Sequence, residues 1–313
     1  MGEWPKEFRR LQRDAYDACS ECGARHVKGA SVLVGYTEER RPVRVGDCCA
    51  GLVTELADRV EWKPRDYEVP PHAAKLWRYM DFAKFVAMLR DRGLYFSRAD
   101  QLGDRFEMAK GLRDRQPAWD EYNLNFFRNL LRNPPAGYEL YYTDEQIEEN
   151  ARRLPDESYL AGQQQLHETY VSCWHENDGE SEALWRLYCG TTPGIAVQTS
   201  FGRLLYALRD EPDIAVGRVE YVDFKQYFAG LNEAVFRKRQ SLSHEREVRA
   251  VHYFGDGAVA GGIVNLDLPI LIEQIVISPF APPWLRDLTA ETIRRFGYDL
   301  NVVTSELLLD PFV

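Results

Sequence analysis

The sequence predicts an α+β protein, a mixed or antiparallel sheet with flanking helices, preceded by a small zinc-binding module. Three observations carry this reading. Short runs rich in β-branched and aromatic residues recur along the chain, as in Lys75-Leu-Trp-Arg-Tyr79, Tyr170-Val-Ser-Cys-Trp174 and Gly194-Ile-Ala-Val-Gln-Thr199, and segments of helical period fall between them. Hydrophobic residues make up 45% and aromatic residues 12% of 313, enough for a sizeable core. Four of the six cysteines lie within the first fifty residues, which sets that stretch apart from the rest.

The N-terminal elements follow in order. Residues 4–18 are predicted as a short helix leading into Cys19. From Lys28 to Val45 the pattern is strand-like, with a charged turn at Glu38-Glu-Arg-Arg41 between two apolar runs, and this predicts a hairpin. A helix is predicted from Cys49 to about Arg59, with Leu52, Leu56 and Val60 on one face. Around these elements sit Cys19-Ser-Glu-Cys22 and Asp47-Cys48-Cys49. A C-x2-C pair reaches one tetrahedral ion from a single tight turn, and a second pair closes the shell, so Cys19, Cys22, Cys48 and Cys49 are the predicted ligands of a structural Zn2+. Neighbouring side chains tend to point apart, which leaves His26 as the alternative to Cys49. Knuckle, hairpin and helix in this order resemble a treble-clef zinc module spanning residues 1–65, and the proline- and charge-rich stretch Pro64 to Pro71 is the expected linker to a second domain, 66–313.

In that second domain Lys75–Tyr79 is a predicted strand, followed by a helix over Phe82–Arg92 with Phe85, Val86 and Leu89 inward. Gly93 is expected to end that helix, and Leu94–Ser97 to be the next strand. Helices are predicted over Asp120–Arg132, Thr143–Arg153, Ser181–Tyr188, Phe201–Leu208 and Pro283–Phe296. The further predicted strands are Tyr170–Trp174, Gly194–Thr199, Ala215–Asp223, Glu245–Tyr253, Ile272–Ser278 and Leu300–Leu309, and Phe236–Arg239 is placed near a helix end.

Composition excludes some classes of function. A formal net charge of −10 disfavours a protein that grips nucleic acid over its whole surface. No run of 18 apolar residues exists to span a membrane, and the charged start Met-Gly-Glu-Trp-Pro-Lys-Glu-Phe-Arg-Arg is unlike a signal peptide, so a cytoplasmic location without membrane partners is expected. In that reducing compartment clustered cysteines read as a metal site in preference to disulfides. The phosphate loops G-x-x-x-x-G-K-[ST] and G-x-G-x-x-G are absent, as are H-E-x-x-H and G-x-S-x-G.

Two clusters carry side chains suited to chemistry. In the first, Trp185 and Tyr188 stand at helical spacing i, i+3, which serves either core packing or stacking on a flat ligand. Cys173 and His175 share strand parity, without an obvious acid to orient them as a nucleophilic pair. In the second, Glu245, Glu247 and Arg249 would project to one face of a strand, where they can hydrogen-bond ribose hydroxyls and stabilise a developing cation, or form a solvated face with a local ion pair. Arg78, Arg98, Arg237, Lys238 and Arg239 are available to meet a phosphate or carboxylate, and Asp104 and Glu107 follow Gly103 as ligands or turn formers.

Taken in order, Leu76-Trp-Arg-Tyr79, Gly93-Leu-Tyr-Phe-Ser97 with Gly103-Asp-Arg-Phe-Glu107, Ser172-Cys-Trp-His175 with Leu184-Trp-Arg-Leu-Tyr188, Gly194-Ile-Ala-Val197, Val219-Glu-Tyr221 and Glu245-Arg-Glu-Val-Arg249 resemble the mostly bacterial family catalogued as domain of unknown function 2971, over roughly residues 75–310. The family's usual Asn-Asp-Pro-Phe-Glu is here Gly103-Asp-Arg-Phe-Glu107. In outline the arrangement is similar to that of ADP-ribosyltransferases, which have an Arg or His on a first strand, a Ser element on another and a late Glu-x-Glu. That resemblance implies an NAD-dependent transferase acting on a macromolecular target, protein or nucleic acid, in a toxin or defence setting. It implies Glu247 as catalytic residue with Glu245 and Arg249 orienting it, and Arg78, Ser172, Trp185 and Tyr188 as binders of NAD. The competing expectations are a non-catalytic nucleotide- or nucleic-acid-binding module, and a metal-dependent nuclease in which Asp104, Glu107 and the two glutamates converge on a divalent ion.

Overall fold

The computed structural model describes residues 7–12, 19, 31–36, 42–45, 59–62, 67–133, 142–190, 193–211, 214–227, 234–253 and 259–312. Strands β1 (Glu7–Gln12), β2 (Ser31–Tyr36), β3 (Pro42–Val45) and β4 (Arg59–Trp62) form one sheet in the order β3-β2-β1-β4. β2 and β3 pair antiparallel, as the predicted hairpin requires, with buried Leu33 opposite buried Val45. β1 corrects the helix predicted over residues 4–18: its backbone pairs antiparallel with β2 and parallel with β4. Two long-range ladders satisfy its main chain, and pairing of that kind overrides local helical pattern. Of the helix predicted from Cys49, Leu52 and Leu56 lie outside the described residues, whereas Arg59 and Val60 belong to β4.

The rest of the described chain builds a mixed α+β structure. It runs β5 (Lys75–Asp81), α1 (Phe82–Asp91), β6 (Gly93–Arg98), α2 (Gln116–Arg132), α3 (Asp144–Glu168), β7 (Thr169–Glu176), α4 (Glu182–Cys189), β8 (Gly194–Ser200) and α5 (Phe201–Ala207). It continues through β9 (Ala215–Arg218), β10 (Glu220–Val222), β11 (Arg237–Arg239), β12 (Glu247–Tyr253), β13 (Gly261–Asn265), α6 (Leu268–Leu271), β14 (Gln274–Ile277), α7 (Trp284–Arg295) and β15 (Val302–Thr304). Nine strands form one sheet along the path β13-β6-β7-β5-β8-β14-β15, with β12 beside β7 and β9 beside β12, while β10 and β11 form a separate parallel pair. Only β14 and β15 pair parallel within the nine-stranded sheet. No helix among the described residues is long and apolar enough to cross a membrane.

Strand alternation divides the core between the two faces. Leu76 and Met80 of β5 join Phe85 and Leu89 of α1, with Phe96, Trp174, Val197 and Val248, on one face. Trp77 and Tyr79 pack with Trp185 and Ala196 on the other. Within α1, Met88 takes the buried position expected of Val86, which is only half-buried. Asp81 caps that helix by accepting from the Lys84 amide, and Arg92, at φ 52°, ends it. Gly93, expected as the helix stop, instead opens β6: a Cβ there would meet the Val264 carbonyl oxygen at 2.4 Å, so its hydrogen is what lets β13 approach.

Several other boundaries moved. α3 runs on past Pro155, where the sequence predicted an end at Arg153; a Thr143/Gln146 capping box starts it, and Arg128 on α2 grips Glu148 with bonds of 2.6 and 2.8 Å. The strand predicted over Ala215–Asp223 is two strands in different sheets, divided at Val219, whose N–H turns to the Glu247 carbonyl. Residues 240–245 form a 3-10 turn that ends at Arg246, φ 40°, so Glu245 precedes β12 and does not belong to it. The strand predicted over Leu300–Leu309 is β15 followed by a 3-10 turn at Glu306–Leu308.

Candidate active site

The site originates in a competition for one edge of β7. β12 occupies one edge of that strand from Glu247↔His175 to Tyr253↔Thr169. On the other edge, β5 pairs only with its end, Leu76↔Glu176 and Trp77↔His175, and β6 only with its beginning, Ser97↔Val171 and Arg98↔Tyr170. Ser172, Cys173 and Trp174 therefore face a gap where β5 and β6 part. A cleft of about 820 Å³ lies at this split, a size suited to a small-molecule ligand. The split also lets residues of opposite sheet faces line one space. Trp77, His175 and Glu247 share a face by register, Arg78 has the parity of the other, and all four line the cleft.

Arg78 reaches across the gap. Its Nη1 donates to Ser172 Oγ at 2.5 Å, its Nη2 to the Tyr95 carbonyl at 3.1 Å, and its guanidinium stands 5.8 Å from the Trp174 ring centroid. Burial lowers its pKa, and no carboxylate pairs with it among the described residues. The other predicted phosphate-binding cations are engaged: Arg98 with Asp100, Arg237 with Glu220, Lys238 with Glu245 and Glu247, and Arg239 with Asp104.

The opposite wall is a buried chain of alternating charges. Glu247 Oε1 accepts from Arg249 Nε at 2.6 Å, and its Oε2 from Lys238 Nζ at 2.9 Å. Lys238 also bonds Glu245. Arg249 is wholly buried; its other donors meet the carboxylate of Glu107, at 2.8 Å for Nη2, and the Val235 carbonyl at 2.6 Å. Burial by itself would raise the Glu247 carboxyl, but Arg249 and Lys238 outweigh it and hold the pKa at about 2. Burial likewise opposes the charge of Lys238, and Glu247 and Glu245 reverse that, keeping the ammonium above the ordinary lysine range. At pH 7 the Glu247 carboxyl is ionised. Glu247 is therefore a fixed negative charge, unsuited to proton transfer near neutrality and suited to stabilising a cation.

The sequence-predicted residues separate accordingly. Arg78, Tyr188, Glu245 and Glu247 line the cleft. Ser172 lies beneath it, wholly buried, as the acceptor for Arg78. Arg249 stands behind Glu247 and shares its strand face, whereas Glu245 reaches Lys238 from the 3-10 turn and not from the strand. Trp185 is a correction: it is fully buried, edge-on to Tyr79 at 4.8 Å, with Nε1 donating to Glu180, so its ring has no face to offer a ligand. Tyr188, one helical turn on, is half exposed. Cys173 lies within the buried charge chain, where burial pushes its thiol pKa well up, the reverse of what a nucleophile needs.

The carboxylates expected of a nuclease do gather here, but around protein cations. Glu107 and Glu247 share Arg249, Glu245 and Glu247 share Lys238, and Asp104 binds Arg239 at 2.7 Å. Glu107, Asp104 and Lys238 were legible only as unassigned charges, because their partners lie on other elements. Among the described residues no group of three metal-ligating side chains is assembled. Of the predicted zinc ligands Cys19 is buried, whereas Cys22, Cys48, Cys49 and the alternative His26 lie outside the described residues.

No family model matches the chain and no curated protein matches it. Among solved structures it is similar to Thermus sp. 2.9 DarT in complex with ADP-ribosylated ssDNA, at 12% identity and a TM-score of 0.35, over 77% of this chain and 98% of that one.

Proposed function

We propose that the cleft binds NAD and that the protein is an ADP-ribosyltransferase acting on a macromolecular target. One observation carries this reading: an arginine that pairs with no carboxylate among the described residues and a glutamate held ionised by Arg249 and Lys238 line the same cleft from opposite faces of a split sheet. The ligand that suits this pair is anionic at one end and develops positive charge at the other. NAD has that character. Its pyrophosphate would meet Arg78, which Ser172 and the Tyr95 carbonyl hold in place. Its nicotinamide would lie against the exposed ring of Tyr188.

In the reaction the bond between the nicotinamide ring nitrogen and ribose C1′ breaks, and its electron pair leaves with nicotinamide. The sugar is left as an oxocarbenium ion, which the charge of Glu247 stabilises, with Arg249 and Lys238 fixing that carboxylate and Glu245 bordering it. A nucleophile of the target then bonds to C1′ and loses its proton. Glu247→Gln keeps the shape and removes the charge, so nicotinamide release from NAD should fall by about 10²-fold or more. Binding of NAD without release in the wild type would point to a non-catalytic nucleotide-binding module. No binding and no release with any target would overturn the reading.

The N-terminal cysteines belong to the same proposal as a target-selecting zinc module of residues 1–65 placed before the catalytic domain, in a bacterial defence or toxin setting. Its support is the Cys19-x2-Cys22 and Cys48-Cys49 spacing. One zinc ion per full-length chain, measured by elemental analysis, is the expected stoichiometry.

A further inference from the structure

We propose that Nε2 of His175 is the general base that removes the acceptor's proton during ADP-ribosyl transfer, an inference that rests on the function proposed above. Register places His175 on the strand directly beside Glu247, on the same sheet face, and it lines the cleft. Its Nδ1 lies 2.6 Å from the main-chain oxygen of Glu245. A carbonyl oxygen only accepts, so that bond requires the hydrogen on Nδ1, and the neutral ring then carries its lone pair on Nε2. No hydrogen bond to Nε2 is formed among the described residues.

The ring is also in the right protonation state. Burial lowers its pKa below the ordinary 6.5, assisted by Arg246 and His244 and opposed by the Glu245 carbonyl and the Glu176 charge. Tyr79 flanks the ring at 6.4 Å, and Glu247 faces it from β12. At neutral pH the imidazole is therefore unprotonated and able to accept, whereas Glu247, at about 2, is far too weak a base. The two groups divide the work. Glu247 stabilises the sugar cation, and His175 takes the proton from the attacking O–H or N–H as the new bond to C1′ forms, later returning it to water. The Glu245 carbonyl and the Glu176 charge favour the imidazolium so formed.

This assigns a class of acceptor. A carboxylate has no proton to give up and needs no base. An O–H or N–H acceptor must lose one, and a built-in base is matched to those.

The test uses the full-length protein, NAD and water as acceptor, reading the steady-state formation of ADP-ribose, the product of the acceptor step, against pH. His175→Asn is the informative variant, because its amide can still donate to the Glu245 carbonyl while nothing replaces Nε2. The expected result is a wild-type rate that rises with pH through one ionisation below 6.5. In His175→Asn that limb should vanish and the plateau rate fall about 10²–10⁴-fold, with the Kd for NAD changed less than about twofold. A His175→Asn enzyme that keeps the rate or the limb overturns the proposal and leaves Glu247 chemistry intact. A wild type that neither binds nor consumes NAD overturns the parent function and this inference together.

Discussion

Arg249 and Glu107 form a two-pronged ion pair with no measurable exposure of the guanidinium, joining β12 to the loop after β6. The same guanidinium reaches Glu247 through Nε, so a single side chain fixes the carboxylate at the cleft and ties a distant loop to the sheet.

Removing one member of a buried pair leaves the other charge uncompensated. Glu107→Gln should therefore destabilise the protein by about 3–5 kcal/mol, read from the urea midpoint at pH 7. Replacing the exposed pair member Glu182, which meets Arg186 one turn away on α4, should cost less than about 0.5 kcal/mol.

Glu247 makes stability depend on acid. Its carboxyl falls from an ordinary 4.5 to about 2 in the folded chain, so the folded state binds the proton less readily than the unfolded one. That contribution is complete above about pH 4.5 and is lost as pH drops towards 2. It amounts to roughly 3 kcal/mol. Burial pushes the Glu107 carboxyl the other way, so the comparison that isolates the effect is wild type against Glu247→Gln, with chemical denaturation at pH 7, 4 and 3. The variant's stability should fall less steeply over that range.

Trp185 and Tyr188 should behave oppositely. Trp185→Phe deletes the donor to Glu180, which also accepts from Ser305 Oγ and the Glu306 amide, so it should cost about 1–2 kcal/mol and leave NAD affinity unchanged. Tyr188→Ala should leave the melting temperature within a few degrees and weaken NAD binding about tenfold, measured by calorimetry.

Gly93→Ala would drive a methyl group into the Val264 carbonyl and prise β13 from β6, at a cost of about 1–3 kcal/mol. Gly179→Ala, with nothing within 4 Å of the added carbon, should stay within about 0.5 kcal/mol of wild type. Paired thermal melts decide between the two.

The site was only partly legible in the sequence. Arg78 on its strand, Ser172 and the Glu247/Arg249 parity were readable because strand alternation is local and fixes which residues share a face. Glu245 escaped that logic when the backbone turned left-handed at Arg246. Lys238 and Arg239 looked like free cations until β11 brought them against Glu245, Glu247 and Asp104. β13 was missed because its Gly261-Gly262 start carries no strand signal, and its backbone is ordered by pairing with β6.

By itself, then, the sequence determined the α+β class, the order of most strands, the β2–β3 hairpin and the presence of an arginine and a Glu-x-Glu as the residues to watch. Those follow from periodicity and charge within a few residues of each other. Only the tertiary structure decided that β5 and β6 would share one edge of β7 and part along it, that β1 would be a strand, and that Arg249 would pair with both Glu107 and Glu247. The reason is physical. Ladder hydrogen bonds and buried ion pairs are satisfied by whichever distant partner the register presents, and no local pattern specifies that partner.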